Sequence, residues 1–302
     1  MNILLVVVFV LPALFYLAAW WLPHVPGRPI AALEAPAGRF DAGSLLVLMG
    51  LVLHAGSIGW AMAHGPVIAG FSPAAAGATV TEPGTASLHF GFAPALSAIL
   101  WLGVLMLWAE SLSVHIQALQ AILLPLAAIT VLLPLFFPGA DLSGPSRQPL
   151  FIPHLLVGVL AYGVLMLAAL HAGLMTAAER ALHGGIGPRR SIFARWFEQL
   201  PPLLVLERLL FRFIAVGFVL LTLTALSGVV FSEQVFGKPF RFDHKSVFTL
   251  IAWVLFGVLL IGRSRWGWRG RTALRLTLSG FVVLMLAYVG TRFVLEVILR
   301  RY

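Results

Sequence analysis

The apolar positions of this chain run in long unbroken stretches, not in the short alternating or strictly amphipathic patterns of a soluble fold. A helix needs about 20 mostly apolar residues to cross the hydrocarbon of a bilayer. Eight stretches meet or approach that length, roughly 2–22, 44–64, 92–109, 114–136, 150–176, 209–231, 246–262 and 274–298. Within hydrocarbon, backbone N–H and C=O groups must be satisfied inside the segment, so these runs are expected to be helices. The expected fold class is all-α: a polytopic transmembrane helix bundle of about eight spans, forming a single membrane domain over residues 1–302, without internal repeats. The first run has no positive leader and closes on Trp20, Trp21 and Pro23 instead of a small-residue cleavage site. It is read as a retained helix with its two indoles at the membrane interface.

The arginines set the expected orientation. Arg180, Arg189, Arg190, Arg195 and Arg208 follow span five, and Arg263, Arg265, Arg269, Arg271 and Arg275 follow span seven. By parity both loops lie on one side, the cytoplasmic one, together with Arg28 and Arg39. Both termini then fall outside, on the periplasmic side. The external loop 65–91 has no Lys or Arg, whereas the external loop 232–245 carries Lys238, Arg241 and Lys245 against the trend. An anionic ligand is one reason for such a group. The cytoplasmic loop 177–208 holds a non-spanning segment, 190–205, in which the mixture of Arg, Phe and Trp over Ser191–Phe197 suits a short interfacial helix, and Pro201-Pro202 then breaks the chain before span six.

Composition narrows the class. Hydrophobic residues make up 60% of the 302 residues and charged residues 10%, against about 25% charged in a soluble domain. There is no cysteine, which removes disulfides, Fe–S clusters, zinc–thiolate sites and thiol catalysis. The net charge of +9 belongs to the topology-setting arginines. Arginine-rich loops between spans are what the positive-inside rule produces, so nucleic acid is not an expected partner and the lipid bilayer is. No Ser-His-Asp set, paired carboxylates, phosphate-cradling loop or HExxH motif is present, and Gly184-Gly185-Ile-Gly187 reads as a turn. Nothing here points to an enzyme.

The chemistry rests with the nine histidines. His64, His89, His154 and His244, from four segments, converge on the expected external face. Two axial imidazoles would hold a heme iron, and Lys or Arg would pair its propionates. Lys245, Arg241 and Arg292 lie on that face, with Trp253, Phe90 and Tyr162 as candidate stacking rings. A lone interfacial histidine is ordinarily a polar group among headgroups, the reading given to His24, His64, His115, His171 and His183. His54 falls in mid-span, where an ionisable group marks a functional site by default or is a neutral imidazole bonded to a backbone carbonyl; both readings stand. Arg292 and Glu296 have the spacing of a helical ion pair. Glu110, Ser111 and Ser113 end span three.

Three stretches carry a family resemblance. His154-Leu-Leu-Val-Gly-Val-Leu-Ala-Tyr-Gly163, Asp243-His-Lys-Ser-Val247 running into Ala252-Trp253, and Gly267-Trp-Arg-Gly-Arg271 through Gly280-Phe281 to Tyr288-Val-Gly290 resemble segments of the cytochrome c assembly protein family, the CcsA-like heme handlers. The likeness is nearest to the small bacterial inner-membrane branch of YpjD and HemX type, and His89-Phe90 adds a weaker match. It extends from about residue 89 to the end. It implies a multi-pass protein of the bacterial inner (cytoplasmic) membrane that takes part in cytochrome complex assembly. It further implies heme b as cofactor, His154 as an external iron ligand, and other assembly proteins as partners. Asp243, Lys245 and Trp253 match the segment that closes the family's tryptophan-rich heme platform. The chain departs from the pattern at four points. Phe242 stands where the platform tryptophan precedes Asp243, and His244 replaces a proline. Gly262 takes the place of a membrane histidine, and Arg300 falls where a second external histidine is expected. The full ligand set of a cytochrome c synthase is therefore absent, and a partner for His154 is sought first in His244 and then in His89.

The leading function is heme binding and handling in cytochrome c biogenesis. The alternatives are a heme-free regulatory or scaffolding membrane protein linked to heme synthesis, working through its arginine-rich loops, and a small-molecule or proton transporter built around His54. Orientation is open to a direct check, because a chain without cysteine gives no labelling background. In intact spheroplasts a membrane-impermeant maleimide is expected to label Ala75→Cys, and to label Gly185→Cys only after permeabilisation. The reverse pattern would invert the topology.

Overall fold

The computed structural model of the chain describes residues 5–24, 41–64, 88–112, 117–137, 139–142, 148–183, 202–236 and 243–299. Several positions singled out above lie outside them: the loop 65–87, His115, the expected interfacial helix, Lys238, Arg241, Phe242 and Arg300. The side chains of His24 and His183 lie outside them too.

The described chain is helical nearly throughout. A π turn (Val6–Val10) leads into α1 (Leu11–Trp21), followed by α2 (Ala42–His64). The two-residue strand β1 (His89–Phe90) precedes α3 (Phe92–Ser111) and α4 (Gln117–Thr130). A second short strand, β2 (Ala140–Asp141), precedes α5 (Phe151–His183), α6 (Leu203–Phe236), α7 (His244–Trp266) and α8 (Arg271–Ile298). The strands pair antiparallel, His89 opposite Asp141 and Phe90 opposite Ala140. Among the described residues, seven helices are long and apolar enough to cross a membrane, and the first apolar helix, Val7–Trp21, is shorter. The bundle matches the eight apolar stretches read from the sequence. Two boundaries move. Span six, expected from about residue 209, opens as α6 at Leu203 directly after Pro202, whose carbonyl accepts the Val205 N–H at 2.8 Å. His244, placed above in a loop, is the first residue of α7.

Local signals explain the helix ends. Asp243 caps α7 by accepting the Ser246 N–H at 2.8 Å, and Asp41 caps α2 through Ser44 N–H at 2.8 Å, contacts worth about 1 kcal/mol each. Gly267 closes α7 in the left-handed region, φ 65°, a conformation that glycine adopts without steric cost. The Trp268 N–H then reaches back to the Gly262 carbonyl at 3.1 Å. This folds the Trp268 indole onto Gly262 so closely that any side chain at 262 would strike the ring. The indole therefore fills the place where the resembled family carries a membrane histidine.

Between the helices, polar side chains find partners across the interfaces. The Trp101 indole donates to the Leu51 carbonyl (2.8 Å), Trp20 to the Ala121 carbonyl (3.0 Å), Tyr162 to the Leu284 carbonyl (2.9 Å) and Trp253 to Thr222 Oγ1 (2.9 Å). His54 is fully buried in α2, between Tyr16 Oη of α1 at 3.2 Å and Ser97 Oγ of α3 at 2.8 Å. At the arginine-rich end, Glu207 of α6 joins Arg263 at 2.5 Å and Arg269 at 3.4 Å, while Glu179 of α5 lies 3.7 Å from Arg271. Toward that end His171 of α5 and Glu110 of α3 form a buried pair at 3.2 Å, with His171 Nδ1 on the Leu167 carbonyl at 2.8 Å. Glu110 thus does more than end its helix. Replacing it with leucine leaves His171 Nε2 buried without that partner, a cost of about 1–3 kcal/mol. Glu110→Leu is expected to lower the unfolding temperature in detergent by several degrees. An unchanged midpoint would remove the pair from the stabilising contacts.

Candidate functional site

The opposite end of the bundle gathers the N termini of α3, α5 and α7 and the C termini of α6 and α8. There α8 changes its winding: π turns at Leu286–Gly290 and Val294–Ile298 flank a short α stretch, Thr291–Phe293. Such turns are uncommon and recur at functional sites. Tyr288, Arg292 and Glu296, each four residues on from the last, project from this segment toward α3 and α7.

Tyr288 is the centre of the cluster. Lys245 Nζ, from the first turn of α7, lies 5.0 Å from its ring centroid, and Arg292 Cζ lies 6.0 Å from the same ring. Phe90 of β1, itself buried, packs against Tyr288 with centroids 6.1 Å apart. Two cations thus approach one aromatic ring, an arrangement in which ring quadrupole attraction offsets part of their mutual repulsion. Glu296 supplies a counter-charge. Its side chain is 1% exposed, with Oε1 3.9 Å from Arg292 Nη1 and Oε2 accepting the Phe92 N–H at 3.3 Å. A carboxylate is favoured at a helix N terminus, and here it comes from a helix distant in sequence. Gly91 makes this possible. Any side chain at 91 would meet both carboxylate oxygens and the Cα of Gly139, a residue with φ 86°.

His154 occupies the α5 side, half-buried and within electrostatic range of Lys245. Its Nδ1 is 2.8 Å from Ser227 Oγ of α6, and Gly228 lies against the ring edge. Nearby on β1, His89 Nδ1 is buried with no hydrogen-bond partner among the described residues. His244 is exposed at the start of α7, beside the capping Asp243.

The sequence-derived candidates therefore divide. His154, Lys245, Arg292, His244, Asp243 and His89 share one end of the bundle. Trp253 sits more than two turns along α7 from His244, stacked on Phe218 (5.5 Å) and bonded to Thr222, facing α6. His54 lies in its own closed set with Tyr16 and Ser97, both ring nitrogens engaged. His64 stacks on Trp60 one turn away, centroids 3.8 Å apart. Arg292 and Glu296 form the expected ion pair. Three participants were not singled out as site residues: Tyr288 as the shared ring, Glu296 as the cap of α3, and Ser227. Tyr288 was legible only inside a family motif. Glu296 and Ser227 act on helices far away in sequence, a relation that helical spacing does not encode.

The residues fit a heme chemically: an imidazole, two cations for carboxylates and an aromatic wall. Residues 86–299 match the family described as Cytochrome C assembly protein. The chain is 32% identical over 172 residues to the inner membrane protein YpjD of Escherichia coli (strain K12), covering 57% of this chain and 62% of that one. It is 36% identical over 88 residues to the cytochrome c biogenesis protein CcsA of Prochlorococcus marinus (strain MIT 9215), covering 29% of this chain and 28% of the relative. The CcsA of strain MIT 9312 is 38% identical over a stretch of the same length. The alignments thus span less than two thirds of these relatives. With the matched family region running from the strand before α3 to the end of α8, the chain belongs to the cytochrome c assembly protein family and is a multi-pass protein of the bacterial inner membrane.

Proposed function

We propose that this protein binds and hands on heme at the periplasmic face of the inner membrane during cytochrome c maturation. The observation that carries the reading is the meeting of Lys245 and Arg292 on the Tyr288 ring at the end of the bundle that also holds His154. A ligand with an apolar disc, a metal centre and two carboxylates matches those three features together. His154 would present Nε2 to the iron, since Nδ1 is taken by Ser227. Lys245 and Arg292 would pair the propionates through charge-assisted hydrogen bonds. Bound heme supplies an iron centre whose ligation the histidines set. His244, one residue from Lys245, is the preferred second ligand and His89 the next. Heme b, without covalent attachment, is the form such a site would take, because the chain has no thiol to receive a vinyl group. Partners of the same assembly pathway would deliver heme or accept it.

The protein purified in mild detergent is expected to show a Soret band and sharp low-spin bands on reduction, either as isolated or after adding hemin. His154→Ala is expected to lose them while keeping its unfolding midpoint. Lys245→Met and Arg292→Met should each weaken hemin binding about tenfold with little change in band positions. The absence of a Soret band with added hemin would overturn the reading and favour a heme-free regulatory role.

A further inference from the structure

The imidazole of His154 is held in a specific way. Ser227 Oγ donates its single proton to the Thr224 carbonyl on its own helix, at 3.1 Å. A hydroxyl that has spent its proton can only accept from a second neighbour. The nitrogen 2.8 Å away, His154 Nδ1, then serves as the donor, and the Thr224 carbonyl also takes a hydrogen bond from the His154 ring. In a neutral imidazole that leaves the lone pair on Nε2. The neighbouring backbone is shaped for this contact. A Cβ at Gly228 would come to 3.2 Å from His154 Cε1, whereas one at Gly158, one turn along α5, would meet the Thr224 methyl at an ordinary 3.5 Å. Gly228 is thus the residue that lets α6 come close enough for the ring to reach the serine. The Thr224 hydroxyl is not a competitor, since it donates to the Leu220 carbonyl at 2.8 Å.

We propose that Ser227 is a positioning residue for His154, fixing its tautomer and aiming the Nε2 lone pair as a metal-ligating atom. The proposal rests on the reading of His154 as a heme ligand and adds to it the group that orients the ligand. Metal-ligating histidines commonly donate their other N–H to an outer partner, whose loss costs about 10- to 100-fold in affinity. A serine hydroxyl is a weaker acceptor than a carboxylate, so it orients the ring without making it strongly basic.

The test compares wild type, His154→Ala, Ser227→Ala, Ser227→Thr and Ser227→Asp as full-length protein in detergent. Hemin dissociation is followed by transfer to excess apomyoglobin, and the reduction midpoint and unfolding temperature are measured alongside. Ser227→Ala is expected to release hemin about 10- to 100-fold faster with an unchanged unfolding midpoint. Ser227→Thr, which keeps the hydroxyl, should restore the wild-type rate. Ser227→Asp should lower the reduction midpoint by making the imidazole a stronger donor. If His154→Ala loses hemin while Ser227→Ala behaves as wild type, the positioning role is overturned and the heme reading stands. If Ser227→Ala and Ser227→Thr fail alike with lowered unfolding midpoints, the contact is merely structural and the proposal also falls. If wild type and His154→Ala hold hemin equally, the heme reading itself fails.

Discussion

A polar side chain inside a bilayer has no water to fall back on, so its partner must stand on a neighbouring helix. That constraint organises this bundle. His54 reaches α1 and α3, Trp101 the backbone of α2, His171 the end of α3, Trp253 and His154 the face of α6, and Tyr162 the backbone of α8. In membrane proteins each such bond contributes only about 0.6 kcal/mol on average. Their larger effect is to fix rotation and depth. A helix that turned on its axis would carry its histidine or tryptophan into lipid. The site at the His154 end depends on that registration, since its residues come from α3, α5, α6, α7, α8 and β1 and few of them are close in sequence.

The two ends of the bundle use charge differently. At the arginine-rich end, Glu207 and Glu179 hold Arg263, Arg269 and Arg271, tying α6 to α7 and α5 to the start of α8. Those carboxylates pair with arginines directly. At the other end Lys245 and Arg292 lean on a tyrosine ring, Asp243 lies within electrostatic range of Lys245, and Glu296 divides its oxygens between Arg292 and a helix N terminus. Cations settled on a ring keep hydrogen-bonding capacity for an incoming anion, which is the property a carboxylate-binding site needs.

Much of the architecture was legible in the chain itself. Runs of about 20 apolar residues can only be spanning helices, and their limits fall within a few residues of those observed for most of α2 to α8. The misplaced boundaries, at Leu203 and His244, are polar or interfacial helix ends where hydropathy fades although backbone hydrogen bonding continues. His154, Lys245 and Arg292 were legible as candidates because histidine and charge stand out against an apolar background. His54 stood out for the same reason, yet the structure places it between Tyr16 and Ser97, which no spacing rule could anticipate. Ser227 was illegible, because a serine among helical residues carries no signal until the opposing helix brings an imidazole to it.

The contact between Gly262 and Trp268 has a consequence for how sequences of this kind diverge. One volume of space is shared by two positions six residues apart, and here the indole holds all of it. A chain with a histidine at the first position must surrender the indole at the second, or bend the turn at Gly267. The two sites are thus expected to vary as a pair, bulk at one matched by smallness at the other, and an alignment sorted by that pair would separate chains able to carry an imidazole at this depth of the membrane from chains that have sealed it with tryptophan.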